Sequence, residues 1–177
     1  STAKGRGLKD RLEWSAQQSF PERPVPDANS DSPRDRLASV LKAANSRKPT
    51  EFAEMLGVLD HPRDRFLDYA LEQSVHATAA FWFPALQEGM LEFQKPEHLA
   101  FALGTLGTEE AIRYARAELD RANHTGAIRS NFVRIVSRSQ DPADWIYLVE
   151  NYSNDPSVLA SLVEAVPPRR RAPVLGV

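Results

Sequence analysis

Four histidines, His61, His76, His98 and His124, are the side chains in this chain best suited to metal or proton chemistry. A zinc site on a helix needs imidazoles at a short spacing such as His-x-x-x-His, and no such pair is present. Each histidine falls at or near a predicted helix end or turn, where capping or solvent exposure accounts for it better than a metal does. Carboxylates occur at Glu109-Glu110 and between Glu13 and Asp27, but no spacing forces two of them together. No His or Ser is placed to complete a nucleophilic set, so nothing here forms an acid/base dyad. Gly104-Thr105-Leu106-Gly107-Thr108 has the glycines of a phosphate loop but lacks the Gly-Lys-Ser/Thr ending and a preceding strand. It reads as a helix C-cap turn feeding Thr108, the N-cap of the next helix. With no cysteine at all, a disulfide, a thiolate zinc site, an iron–sulfur cluster and a covalently attached haem are excluded from these residues.

Binding chemistry is better represented than catalysis. Arg63, Asp64, Arg65, Asp68 and Tyr69 cluster in seven residues, and Arg and Tyr are favoured where proteins meet. Arg63, Arg65, Asp68 and Tyr69, together with Trp82, form the candidate protein-binding surface. The same cluster also reads as a solvated helix face, with Asp64 and Asp68 in i,i+4 register and ordinary Arg–Asp pairs. In Phe81-Trp82-Phe83-Pro84, three consecutive large rings on a helix cannot all share one face. The outward ring is either a packing residue between repeats or a binding anchor, and helices covered on two sides favour packing. Arg169-Arg170-Arg171 is a run of three charges, short of the ~4 to 8 that mark an acidic-lipid site, and reads as a solvated chain end.

The elements that must position these residues are helical throughout. Strand-like alternation is essentially absent, and 42% hydrophobic with 26% charged residues over 177 positions supports one or two globular units. The expected helices run over 33–44, 51–59 behind an N-cap at Thr50, a segment opened by Asp60-His61-Pro62, 78–89 interrupted by Pro84, and one opened by Lys95-Pro96-Glu97. Further helices are expected over 109–123, 127–138, 142–152 behind Asp141, and 156–166 behind Asp155, about nine in all. In the segment after Pro62, Phe66, Leu67, Ala70, Leu71, Ser74 and Val75 share one face. Pro84 is expected to kink or restart its helix. Residues 1–30, rich in Gly and Pro, read as a linker with one helical turn near 11–18. Residues 167–177 read as a tail.

Alternate expected starts near 33, 62, 96, 126 and 156 are spaced by 29, 34, 30 and 30 residues. That period matches helix pairs stacked into an α-solenoid, in which one pair cannot bury its apolar face alone. The net charge of −2 divides into +4 over residues 1–50 and −6 over residues 51–177, and neither value suggests a nucleic-acid surface. No apolar run reaches the ~20 residues of a membrane span. The start, Ser-Thr-Ala-Lys-Gly-Arg, lacks an initiator Met and a signal-peptide core, so the chain reads as a piece of something longer.

At LDHPRDRFLDYALEQSV, FWFPALQEG and KPEHLAFALGTLGTEEAI, in that order and spacing, the chain resembles the HEAT-repeat region of planctomycete-type haem-binding, membrane-bound-dehydrogenase proteins. The likeness covers about residues 55–112. It implies an all-α, HEAT-like α-solenoid of about four to five stacked helix pairs over 31–166, following an irregular N-terminal linker. In that family a β-propeller precedes this region and a Cys-x-x-Cys-His segment binding haem c follows it. The resemblance implies an exported or periplasmic parent, possessing an oxidoreductase activity that does not reside in this chain. This module would then hold no cofactor and act as a non-catalytic scaffold for neighbouring domains or a partner protein, with no nucleic acid and no membrane span. A helical-repeat nucleic-acid enzyme such as a DNA glycosylase is the alternative of a different class, against which the −6 balance argues. A lyase or chaperone-like repeat module, with a hydrophobic groove around Trp82 and Tyr69, is a third.

Overall fold

The computed structural model describes residues 26–121, 124, 126–156 and 158. Among these residues there are seven α-helices and one 3₁₀-helix, with no strand: α1 (Pro33–Ala44), α2 (Pro49–Met55), the 3₁₀-helix (Leu56–Asp60), α3 (Arg65–Gln87), α4 (Pro96–Leu106), α5 (Glu109–Arg121), α6 (Gly126–Val136) and α7 (Pro142–Tyr152). The all-α expectation holds. The turn expected near 11–18, most of the helix expected over 156–166 and the tail 167–177 lie outside the described residues.

Local chemistry sets the helix ends. α1, α2, α4 and α7 each begin with proline in the first turn, where its missing N–H breaks no bond. Asp141 accepts a hydrogen bond from the Ala143 N–H at 2.8 Å, the cap that was expected of it. At the end of α4, Gly107 adopts φ +61°, a left-handed conformation that glycine enters without a Cβ penalty. Thr108 Oγ1 then accepts from the Ala111 N–H at 3.3 Å and opens α5.

Four expectations need correction. α2 starts at Pro49 behind Lys48, not at Glu51 behind Thr50, because proline takes the first helical position. Its last turn tightens into the 3₁₀-helix instead of continuing to Leu59 as α-helix. Asp60-His61-Pro62 does not open α3. Asp64 does, through one carboxylate oxygen that accepts from the N–H groups of both Phe66 and Leu67 at 3.0 and 2.9 Å. Finally, α3 is one helix of 23 residues in place of the two expected, with Pro84 inside it. Proline removes one hydrogen bond, but Pro84 stands within the last turn and the Glu88 N–H still closes onto its carbonyl at 3.0 Å.

The core runs through the whole array of helices. Its N-terminal part centres on Trp82, fully buried and stacked on Phe52 at 4.9 Å, with Phe93 edge-on to both rings at 6.2 Å. The Trp82 indole N–H donates to the Val75 carbonyl at 3.0 Å, so its polar edge is satisfied inside the core. Residues 26–30, read as linker, pack onto this body: Ala28 is buried and Asn29 closes over Gly57. Toward the C-terminus, Leu103, Ile112, Ala115, Phe132, Val136 and Leu148 carry the core between α4 and α7. Helices two apart in sequence pack together, α1 on α3 and α4 on α6. The Ser74 hydroxyl reaches the Val40 carbonyl at 3.5 Å and the Arg138 guanidinium reaches the Gly104 carbonyl at 2.9 Å, both across 34 residues.

Candidate functional site

Within the candidate surface, most polar side chains are engaged locally. Arg63 Nε donates to Asp68 at 2.7 Å, and its Nη1 donates to the Leu59 carbonyl at 2.8 Å. The Arg65 guanidinium lies 4.8 Å from the Phe66 ring centroid, a cation–π contact on the surface. Tyr69 is 64% exposed. Arg63, Arg65, Asp68 and Tyr69 therefore stay together at the start of α3. Trp82 does not join them: it has no exposed surface, and it is packed by Phe52 and Phe93, so no groove can be walled by Trp82 and Tyr69. The outward ring of the aromatic run is Phe81, with the Arg47 guanidinium 6.0 Å from its centroid. Phe66 also departs from its expected place on the core face and is 65% exposed. As the second residue of the first turn it precedes the stretch that packs on α1.

Arg63 stands at the edge of a groove of about 600 Å³ that crosses α3, α4 and α6. Glu72 and His76 come from α3, Glu97 and Thr105 from α4, Arg134 from α6 and Arg138 from the turn after it. All but Thr105 of these six are exposed. The floor is built of small residues, Ala100 and Gly104. A Cβ on Gly104 would stand 3.4 Å from Ile135, so glycine lets α6 approach α4 closely. The wall charges are segregated, acidic on α3 and α4 through Glu72 and Glu97 and basic on the α6 side through Arg134 and Arg138, which suits hydrogen bonding along an extended segment better than chemistry at one point. Among the described residues no group of three His, Cys, Asp or Glu is close enough to hold a metal ion.

Two histidines lie deeper than a reading of exposed or capping residues places them. His98 is fully buried, with Nε2 3.3 Å from Asp60 Oδ1. Its Nδ1 is buried without a partner. The Lys95 ammonium holds the other Asp60 oxygen at 2.8 Å, and this bond, with His98, keeps the Asp60 carboxyl below its ordinary range. His124 stacks on Phe132 at 5.0 Å and lies 3.3 Å from Glu118. Both act as packing residues. Nothing in the local sequence announces Asp60 as the partner of His98, 38 residues away.

Between α5 and α7 there is a polar cluster that sequence reasoning missed. Asp144, 5% exposed, pairs with Arg116, whose guanidinium also lies 4.5 Å from the Tyr147 ring centroid. The Tyr147 hydroxyl donates to Asp120 at 2.5 Å and lies 3.4 Å from the Tyr152 hydroxyl. Burial, followed by the bond to Asp120, pushes the Tyr147 phenol well above its ordinary value, so it stays protonated and donating. The separation of Arg116 from Asp144, 28 residues, is close to the spacing of alternate helix starts expected from the sequence and was the available signal. No known protein family, curated protein or solved structure matches the chain.

Proposed function

We propose that this chain is a non-catalytic helical-repeat scaffold of the HEAT-like α-solenoid type, which offers the groove over α3, α4 and α6 to an extended protein segment. The observation that carries this reading is the groove itself, whose walls come from three helices at one side of the array and carry exposed charges of both signs. Support for stacked repeats comes from α1, α3, α4 and α6, which start at residues 33, 65, 96 and 126, spacings of 32, 31 and 30. These are more even than the spacings expected from sequence, because α3 begins at Arg65. The two bonds across 34 residues, Ser74 to Val40 and Arg138 to Gly104, join neighbours in that series. A solenoid stacks helices in this manner and lines one face with the same member of each pair.

The resemblance supplies the wider setting. In this proposal the module positions the redox domains of an exported haem-containing dehydrogenase-like protein, and the segment in the groove belongs to a neighbouring domain of the same polypeptide or to its partner protein. The test is a photoreactive residue at Thr105 in the native polypeptide, followed by mass spectrometry of the crosslinked peptide. A single protein segment, lost when Arg134 and Arg138 are both changed to Glu, is the expected result. Crosslinking to nothing, or to many segments unaffected by that change, overturns the groove. Determining the reading frame on both sides tests the setting separately: a propeller-like segment before and Cys-x-x-Cys-His after support it, and neither being present removes it.

A further inference from the structure

Arg36 breaks the pattern of engaged charges. It lies in the first turns of α1 and is 4% exposed, yet its partners are two neutral carbonyls: Nη1 donates to Ser30 at 2.6 Å and Nη2 to Pro62 at 3.0 Å. Its Nε is buried with no partner, and among the described residues the guanidinium forms no ion pair. A guanidinium keeps its charge at any physiological pH, and burying that charge without a counter-ion is costly. The nearby carboxylates are occupied or distant. Asp35 accepts from the Ser30 hydroxyl at 3.2 Å, Asp64 caps α3, and Asp31 is exposed at the rim. Arg63 has Asp68, so among the described residues Arg36 is the buried cation left without an anion.

Arg36 lines a cleft of about 650 Å³ between α1 and the start of α3. Leu37, Phe66, Leu67 and two prolines supply its apolar lining, and the cations Arg34 and Arg63 line it along with the carboxylates of Asp31 and Asp64. That volume lies within the range of small-ligand sites, which combine apolar walls with a few placed polar groups. The cleft also explains the exposure of Phe66, whose ring stands on its wall instead of in the core.

We propose that this cleft binds an organic carboxylate with an apolar body. Five N–H groups are present on a guanidinium, and two are engaged by Ser30 and Pro62. Nε is enclosed, so the carboxylate is met by the Nη N–H groups that Ser30 and Pro62 leave over. The apolar body lies on Leu37 and Phe66. Such a ligand supplies both what the charge lacks and what the exposed ring lacks. A peptide C-terminus and a medium-chain fatty acid share this chemistry, and the site adjoins the groove over α4 at Arg63.

Calorimetric titration of the intact chain separates the outcomes, with N-acetyl-phenylalanyl-leucine as the free acid, its C-terminal amide, and octanoate as probes. At least one acid is expected to bind, with the free dipeptide acid at least about tenfold tighter than its amide if a peptide end is the source. Binding of octanoate alone assigns the source to a fatty acid. Arg36→Met should weaken the binding acid at least about tenfold and Phe66→Ala several-fold. Because Phe66 is mostly exposed, its variant keeps the test open if Arg36→Met does not fold. No saturable binding of either acid at millimolar concentration overturns the proposal. So does equal binding of acid and amide without octanoate binding, or binding that neither folded variant changes.

Discussion

The N-terminal and C-terminal regions are held together by different means. Around α1, α2 and α3 the joints are apolar: Phe52, Trp82 and Phe93 form a three-ring cluster, and the polar indole edge is closed by a backbone carbonyl. Between α5, α6 and α7 aliphatic side chains surround the buried ring of Phe132, and charged clasps are added at the margin. Arg116 pairs with Asp144, Tyr147 with Asp120, and Arg129 with Asp155 at 2.9 Å. Apolar joints tolerate imperfect direction but not loss of volume, whereas polar clasps fix the angle between helices and depend on both partners being present. The first region should therefore fail by cavities and the second by unpaired groups.

The largest effect is expected at the aromatic joint. Trp82→Ala should cost ~3 to 5 kcal/mol in chemical denaturation, through lost burial and a cavity against Phe52 and Phe93. Asp144→Ala should cost ~1 to 2 kcal/mol, less than a fully buried pair because Arg116 is partly exposed and regains water. Asp64→Ala removes an N-cap from two N–H groups and should lower stability by ~1 kcal/mol. If Asp144→Ala proved as costly as Trp82→Ala, the distinction between the two kinds of joint would fail.

A pH titration sharpens the comparison at the point where the regions meet. Asp60 is bound by Lys95 and His98, which keeps its folded carboxyl below the ordinary value of 3.8. A depressed carboxyl contributes stability above its unfolded value and loses it as pH falls through the folded one. Acid should thus weaken the joint between the 3₁₀-helix and α4 below about pH 4, and Asp60→Asn should flatten that part of the stability curve relative to the parent chain. The smallest effect belongs to Lys48→Ala. Its pair with Glu51 is solvent-exposed at 3.1 Å, and the change should leave the denaturation midpoint where it is in the parent chain.

How much of this was legible in sequence follows the range of the interactions. α1 and α7 match their expected limits, because a Ser or Asp cap and a proline in the first turn are local signals. The joining of two expected helices into α3 was not legible: the expected break lay between Val75 and Thr78, where nothing local shows the helix continuing, and Pro84 is carried in its final turn at the loss of one backbone hydrogen bond. The cluster of Arg63, Arg65, Asp68 and Tyr69 could be read because its members are adjacent. Trp82 was placed with them by residue type, and its burial depends on Phe52 and Phe93, which sequence does not bring together. The groove was invisible for the same reason, since its walls join Glu72, Thr105 and Arg134 from three helices.

Hydrogen exchange measured on the native chain and on Asp144→Ala tests the stacked array most directly, because in an array each unit is stabilised chiefly by its neighbours. The account predicts faster exchange in α5 and α7, a smaller rise in α6, and protection in α1 to α3 that matches the parent chain. An equal rise in all seven helices would show one indivisible cooperative unit and contradict the account.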